Sequence, residues 1–202
     1  VRCFPAVDLA NTLRHDGQGG VTDDLATPAA TARWLRQWHE LVPGEPPDVD
    51  GELHARLLGL RTAVRALFAH AVAPGPASRA DTRPLMPKDE ALAGLNAAAT
   101  TDPVVPELHW PGESTPTRRM RSTETDARTC FVAALARAAI AFLGGPDRER
   151  LRACAAPRCV RYFVQVHGRQ QWCAPSCGNR ARVARHHRRR QRPQTRPHDG
   201  GS

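Results

Sequence analysis

The chain has 202 residues, 41% of them hydrophobic, which is enough to bury a core in one or two domains. Its 29 basic and 20 acidic residues give a net charge of +9, and the excess is local: residues 1–146 hold 15 basic and 17 acidic side chains, whereas residues 147–202 hold 14 arginines and three acids. This describes a near-neutral body with a polyanion-binding end, and no run approaches the ~18 apolar residues of a membrane span, since the longest, Phe131 to Gly144, is broken by Arg137.

Asp8-Leu-Ala-Asn-Thr-Leu13 is a short apolar and polar segment that runs into the loop Asp16-Gly-Gln-Gly-Gly20. Thr27-Pro28 reads as an N-cap followed by proline at the first helical position. The helix it opens, about 28–42, places Ala32, Leu35 and Trp38 or His39 on one face. A longer helix spans about 50–72, where Leu53, Leu57, Leu60, Val64, Leu67 and Phe68 recur at steps of three and four. Residues 73–87 are a loop of turn formers, and a helix of about 87–99 begins with Asp89 and Glu90 at its positive dipole end. Residues 104–110 and 117–121 form two short strands around Pro111-Gly112. Thr123 or Thr125 caps a helix of about 125–143, with Phe131, Leu135, Ala138, Ala139 and Phe142 inward, and Gly144-Gly-Pro146 stops it. Residues 147–153 read as a helical turn or short helix, and residues 191–202 have no apolar side chain to bury, so they are expected to be disordered.

Cys154, Cys159, Cys173 and Cys177 read C-x4-C, a gap of thirteen residues, then C-x3-C. Two close pairs flanking a hairpin-length segment are the spacing that brings four thiolates onto one tetrahedral Zn(II). Four cysteines leave no open coordination position, so the ion is structural. Val160–Val166 reads as a strand, His167-Gly168 as a turn and Arg169–Trp172 as the return strand, with Tyr162, Phe163 and Trp172 shielding the metal. With no charged-then-apolar signal pattern at VRCFPAVDL, the cytoplasm is the expected compartment, where thiols stay reduced and favour metal over disulfides. Cys3 and Cys130 are isolated and read as small core residues.

Ser176 is a credible N-cap for a helix that carries Cys177 in its first turn. At 3.6 residues per turn, Arg182, Arg185 and Arg189 align on one face, opposite Arg180, Val183, Ala184 and His187, of which Val183 and Ala184 pack on the knuckle. With Arg188 and Arg190 the stripe reaches phosphates and guanine edges, and Asn179 and Arg180 sit at the anion-favouring helix start. Twenty-eight of the 29 basic residues are arginine, whose planar fork suits phosphate, although a biased genome composition yields the same preference.

The segment from Cys154 to about Arg190 resembles the CGNR-type zinc finger, whose name is the tetrapeptide Cys177-Gly178-Asn179-Arg180. Tyr162-Phe163-Val164 and Trp172-Cys173 belong to the same match. The opening Asp8-Leu9-Ala10-Asn11-Thr12 and the helix with Leu60-Arg61 and Arg65 are similar to the start of the helical ABATE domain, which commonly precedes that finger. The resemblance implies a stress-linked transcription regulator. Gln165 and a short hairpin tip depart from the family pattern and bear on tip contacts, not on the metal ligands.

The expected fold is mainly α with a small β-hairpin: a helical ABATE-like domain over 1–146, a treble-clef-like or knuckle-type four-cysteine zinc finger with a basic C-terminal helix over 147–190, and a disordered basic tail over 191–202. Asp8, Asn11 and Arg65 are the polar candidates of the body, as a small effector pocket or, preferred, a buried hydrogen-bonded cluster. The expected function is a zinc-dependent DNA-binding transcription regulator with one structural Zn(II). The alternative is a zinc-stabilised protein-interaction or RNA-binding module. No G-x-S-x-G, H-E-x-x-H, phosphate loop or open metal site points to an enzyme. A single basic finger binds weakly, which favours a homodimer, although no coiled-coil pattern marks one.

Overall fold

The computed structural model describes residues 4–42, 44–81 and 85–191. Cys3 and the expected tail from 192 onward lie outside the described residues. The longest helix, α3 (Gly51–Ala71), starts where Asp50 accepts the Leu53 N–H at 2.9 Å. Its stripe of Leu53, Leu57, Leu60, Val64, Leu67 and Phe68 is buried throughout. Each such side chain contributes about 1.5–3 kcal/mol of transfer free energy. That face packs on α4 (Lys88–Thr100), α5 (Ala127–Gly144) and the short α1 (Pro5–Ala10). α5 is the one described helix long and apolar enough to cross a membrane by composition, and half of it is buried inside this bundle. Arg137, which interrupts its apolar run, is held by the Asp102 carboxylate at 3.0 Å and the Asp102 carbonyl at 2.7 Å.

Several elements differ from expectation. The short segment from Asp8 is the end of α1 as far as Ala10, with Asn11 and Thr12 in the turn after it, and a hairpin of β1 (Leu13–His15) and β2 (Val21–Asp23) follows, closed by Asp16 accepting the N–H groups of Gln18, Gly19 and Gly20. Thr27 caps α2 (Pro28–Leu35) as expected, accepting the Ala30 N–H at 3.1 Å. The helix does not run to 42, because Trp38 takes non-helical angles (φ −118°, ψ 27°) inside the 3₁₀ turn Arg36–Leu41. The cap of α5 is Asp126, which accepts from Arg128 and Thr129, not Thr123 or Thr125. β3 (Val104–His109) and β4 (Thr117–Ser122) pair antiparallel as expected, around Gly112 at φ 56°.

The largest correction concerns the knuckle. Residues 146–150 form a 3₁₀ turn, and β5 (Leu151–Ala153) is a strand rather than a helical turn. Its partner is β6 (Tyr162–Val164), in the register Leu151↔Val164, Arg152↔Phe163 and Ala153↔Tyr162. Arg169–Trp172 forms no return strand. The Gln170 side chain takes the bonds a ladder would use, accepting the Val166 N–H at 2.8 Å and donating to the Trp172 carbonyl at 3.2 Å. Successive strand residues face opposite ways. Tyr162 therefore enters the helical core, where its ring meets Phe68 edge-on at 5.4 Å, instead of shielding the metal. Phe163 points to the cysteines. Leu151, also beyond residue 146, is fully buried in the same core as the helices.

Candidate metal centre and basic helix

The sulfur atoms of Cys154, Cys159, Cys173 and Cys177 all lie within 4.8 Å of one another. Cys159 and Cys173 are 3.7 Å apart at sulfur, and Cys173 and Cys177 are 3.6 Å apart. A regular tetrahedron with Zn–S near ~2.3 Å has edges of about 3.8 Å. A disulfide needs about 2.05 Å. The donor set therefore fits one zinc ion and no disulfide, and the cage holds one structural Zn(II). No histidine joins the cluster among the described residues.

Local structure explains the cage. The first pair stands on the turn after β5, where the Cys154 N–H donates to the Arg161 carbonyl at 2.9 Å and Arg158 takes φ 63°. The second pair stands at the start of α6 (Pro175–Gln191), which begins two residues earlier than a cap at Ser176 would set it, with Cys177 in the first turn. Phe163 and Trp172 close over the sulfurs. Arg180, expected among the nucleic-acid contacts, has its guanidinium donating to the Cys177 sulfur at 3.1 Å, and its Nε is buried with no partner among the described residues. That placement puts a cation against a thiolate cage of net negative charge. Val183 does not pack on the knuckle, being 57% exposed. Gly178 is buried and Ala181 and Ala184 are half-buried on the inner side of α6, and a Cβ on Gly178 would meet the Trp172 ring at 3.4 Å, in van der Waals contact. Asn179, Arg182, Arg185, Arg188, Arg189 and Arg190 are exposed.

The polar residues of the body do not converge on one point. Arg65 is buried and bonded to the Asp81 carboxylate at 2.6 Å, the Ser78 hydroxyl at 3.0 Å and the carbonyls of Ala10 and Val160. Asn11 grips the Tyr162 backbone twice, donating to its carbonyl at 2.9 Å and accepting its N–H at 2.8 Å. Asp8 lines one cleft with Asn11 and Arg161, half-buried, and burial raises its pKa against the lowering effect of that arginine. The Tyr162 hydroxyl donates to Asp81 and accepts the Ser78 N–H at 3.3 Å, and burial followed by the Asp81 bond pushes its pKa up.

Residues 5–146 match the family ABATE, described as "Putative stress-induced transcription regulator". The chain belongs to the ABATE family. Residues 150–190 match the CGNR zinc finger. No curated protein matches the chain. The ABATE opening motif thus has a structural use here: Asn11 holds β6, and Thr12 receives Arg61 at 3.0 Å, which also forks onto Asp23. Asp23, Ser78 and Asp81 escaped sequence reasoning. The available signal was the pair Arg61 and Arg65, four residues apart inside an otherwise apolar stripe, since buried arginines require acids.

Without a cation, thiols this close cannot all ionise. Hydrogen bonds from Cys159 and Cys173 hold the Cys154 thiol down to about 2. The bond to Cys154 pushes the Cys159 thiol up to about 11 and the Cys173 thiol up as well. Zinc binding at neutral pH must therefore displace at least the protons of Cys159 and Cys173. Protons compete with the metal, so apparent zinc affinity is expected to rise about hundredfold per pH unit near neutrality. Chelator competition at two pH values measures it, and a rise below about tenfold would contradict this ionisation pattern.

Proposed function

We propose that this chain is a zinc-dependent DNA-binding regulator that contacts duplex DNA through α6. The observation that carries the reading is the exposed arginine ridge of Arg182, Arg185 and Arg189 on a helix whose first turn holds Cys177 of the cage. Zinc fixes the start of the helix, and the ridge presents guanidinium groups to phosphates and to guanine edges. Asn179, Arg188 and Arg190 extend the contact, while Arg180 balances the thiolates. The family is regulatory rather than enzymatic in description, which agrees with this reading. The bonding of Asn11 and Arg65 supports a role for them in joining the body to the finger over a role in an effector pocket. Residues 1–146 then act as the assembly unit, a homodimer being its simplest form, and residues 147–190 as the DNA-binding unit. A reducing cytoplasm suits the four free thiols of the cage.

The double variant Arg182→Ala, Arg185→Ala is expected to weaken duplex binding and to lower the slope of log K against log salt by about two, with zinc content unchanged. Fluorescence anisotropy over a salt series, beside metal analysis, reads both. An unchanged slope would remove α6 from the interface. Equal affinity for single-stranded RNA and duplex DNA would move the assignment to an RNA-binding or protein-interaction module.

A further inference from the structure

Five arginines of the helical body are neutralised by carboxylates. Arg14 pairs with Asp24, Arg61 with Asp23, Arg65 with Asp81, Arg128 with Asp50 and Arg137 with Asp102. One concave surface breaks this pattern. A cleft of about 480 Å³ is lined by Arg79, Arg152, Arg185 and Arg188, and no carboxylate lines it. None of the four forms an ion pair among the described residues. Trp172 and Phe163 make its apolar floor. Four arginines around one space, with no carboxylate among them, repel one another in the free protein, and a polyanion between them relieves that repulsion.

The four come from three separate elements. Arg185, itself a ridge residue, and Arg188 lie on α6; Arg152 lies on β5; Arg79 lies in the loop after α3. The walls are tied to each other. Arg79 follows Ser78, which is buried and donates to the Val160 carbonyl at 2.7 Å, and it precedes Asp81, which holds Arg65 and Tyr162. Arg152 is braced on the carbonyls of Glu149 and Leu151, both at 2.7 Å. A braced guanidinium is pre-organised, so less ordering entropy is lost when an anion arrives.

We infer that this cleft seats the phosphodiester backbone of the duplex, so that Arg79 of the body and Arg152 of β5 contact phosphates alongside Arg185 and Arg188. Four cations exceed what one free phosphate neutralises, and their spread over three elements suits successive phosphates of a polymer. The inference rests on the duplex-binding reading of α6 and extends the interface onto the family's N-terminal region. On α6, Arg182 and Arg189 then meet the groove, while Arg185, at the edge of the ridge, and Arg188 lean toward the backbone track.

The test uses the full zinc-loaded chain and fluorescence anisotropy on two unrelated duplexes over a salt series. Arg79→Ala removes a side chain with no bonded partner among the described residues, so the fold is not at issue; circular dichroism and zinc content check Arg152→Ala. The pair together is expected to lower the salt slope by about two, equally on both duplexes. Arg33→Ala, an exposed arginine of α2 outside the cleft, is expected to leave the slope unchanged. If the unmodified chain binds duplex and the Arg182, Arg185 variant is weakened, but the Arg79, Arg152 variant keeps its slope, the cleft inference fails and the α6 reading stands. If Arg33→Ala lowers the slope as much, net charge and not the cleft is responsible. If the unmodified chain binds no duplex at low salt, both fail. Tighter binding of single-stranded RNA than of duplex would overturn the duplex as occupant.

Discussion

Replacing Cys173 with serine is expected to release the zinc ion and melt residues 165–191 while β5 and β6 stay on the helical body. Structural zinc supplies roughly 10–16 kcal/mol to finger-sized segments. Burial of Phe163 and Trp172, at about 1.5–3 kcal/mol each, does not replace it. The contacts of β6 with the body are of another kind. Tyr162 is buried against Phe68, its backbone is held by Asn11, and its hydroxyl is bonded to Asp81, none of which involves the metal. The boundary of unfolding therefore falls after β6, inside the finger. Amide hydrogen exchange resolves it: the Tyr162 N–H, donated to Asn11, should stay protected in the variant while the α6 amides exchange freely. Loss of protection at Tyr162 together with α6 would mean that metal and body form one cooperative unit.

The second large effect is expected from Arg65→Ala, at about 3–5 kcal/mol of stability, as for other broken buried pairs. The side chains of Arg65 and Asp81 are 5% and 3% exposed. Removing the arginine leaves a buried carboxylate with the Tyr162 hydroxyl as its remaining bonded side chain among the described residues, and takes a donor from the Ala10 carbonyl, while the Val160 carbonyl keeps the Ser78 hydroxyl. Most of the cost is this stranded charge and not the lost attraction. The double variant Arg65→Leu, Asp81→Leu should consequently cost much less than the sum of its single variants. Urea unfolding measures all three. Additive costs would show that the two side chains do not act as a pair.

The parts of the molecule legible in its sequence are those fixed by local periodicity. The apolar stripe of α3, the Thr27 cap and the β3–β4 hairpin needed only neighbouring residues. The cage was legible because cysteine spacing is itself a geometric statement, and no other cluster competes with it among the described residues. What was missed depends on distant partners. Nothing near Leu151 announces a strand, because its partner β6 lies eleven residues on and its buried face packs on the helical core, against α3. Tyr162 and Phe163 read together as a metal shield, since a sequence does not say that one face of a three-residue strand has a second core to enter. Arg65 was legible as polar and buried, yet Ser78 and Asp81 sat unnoticed in a loop of turn formers. Val183 failed because helix projection gives relative angles but not which face the knuckle takes, and the face it takes carries Gly178, Ala181 and Ala184.

The opposite facing of Tyr162 and Phe163 puts one peptide link between the helical core and the sulfur cage, and Ala153–Cys154 makes another on the paired strand. Hinges need slack, and this connection has none. Whatever docks on the bundle thereby dictates the pitch at which α6 is offered. Two copies joined through their bundles would hold their arginine helices at one fixed separation, which makes the spacing of a bound repeat a property of the body and not of the finger.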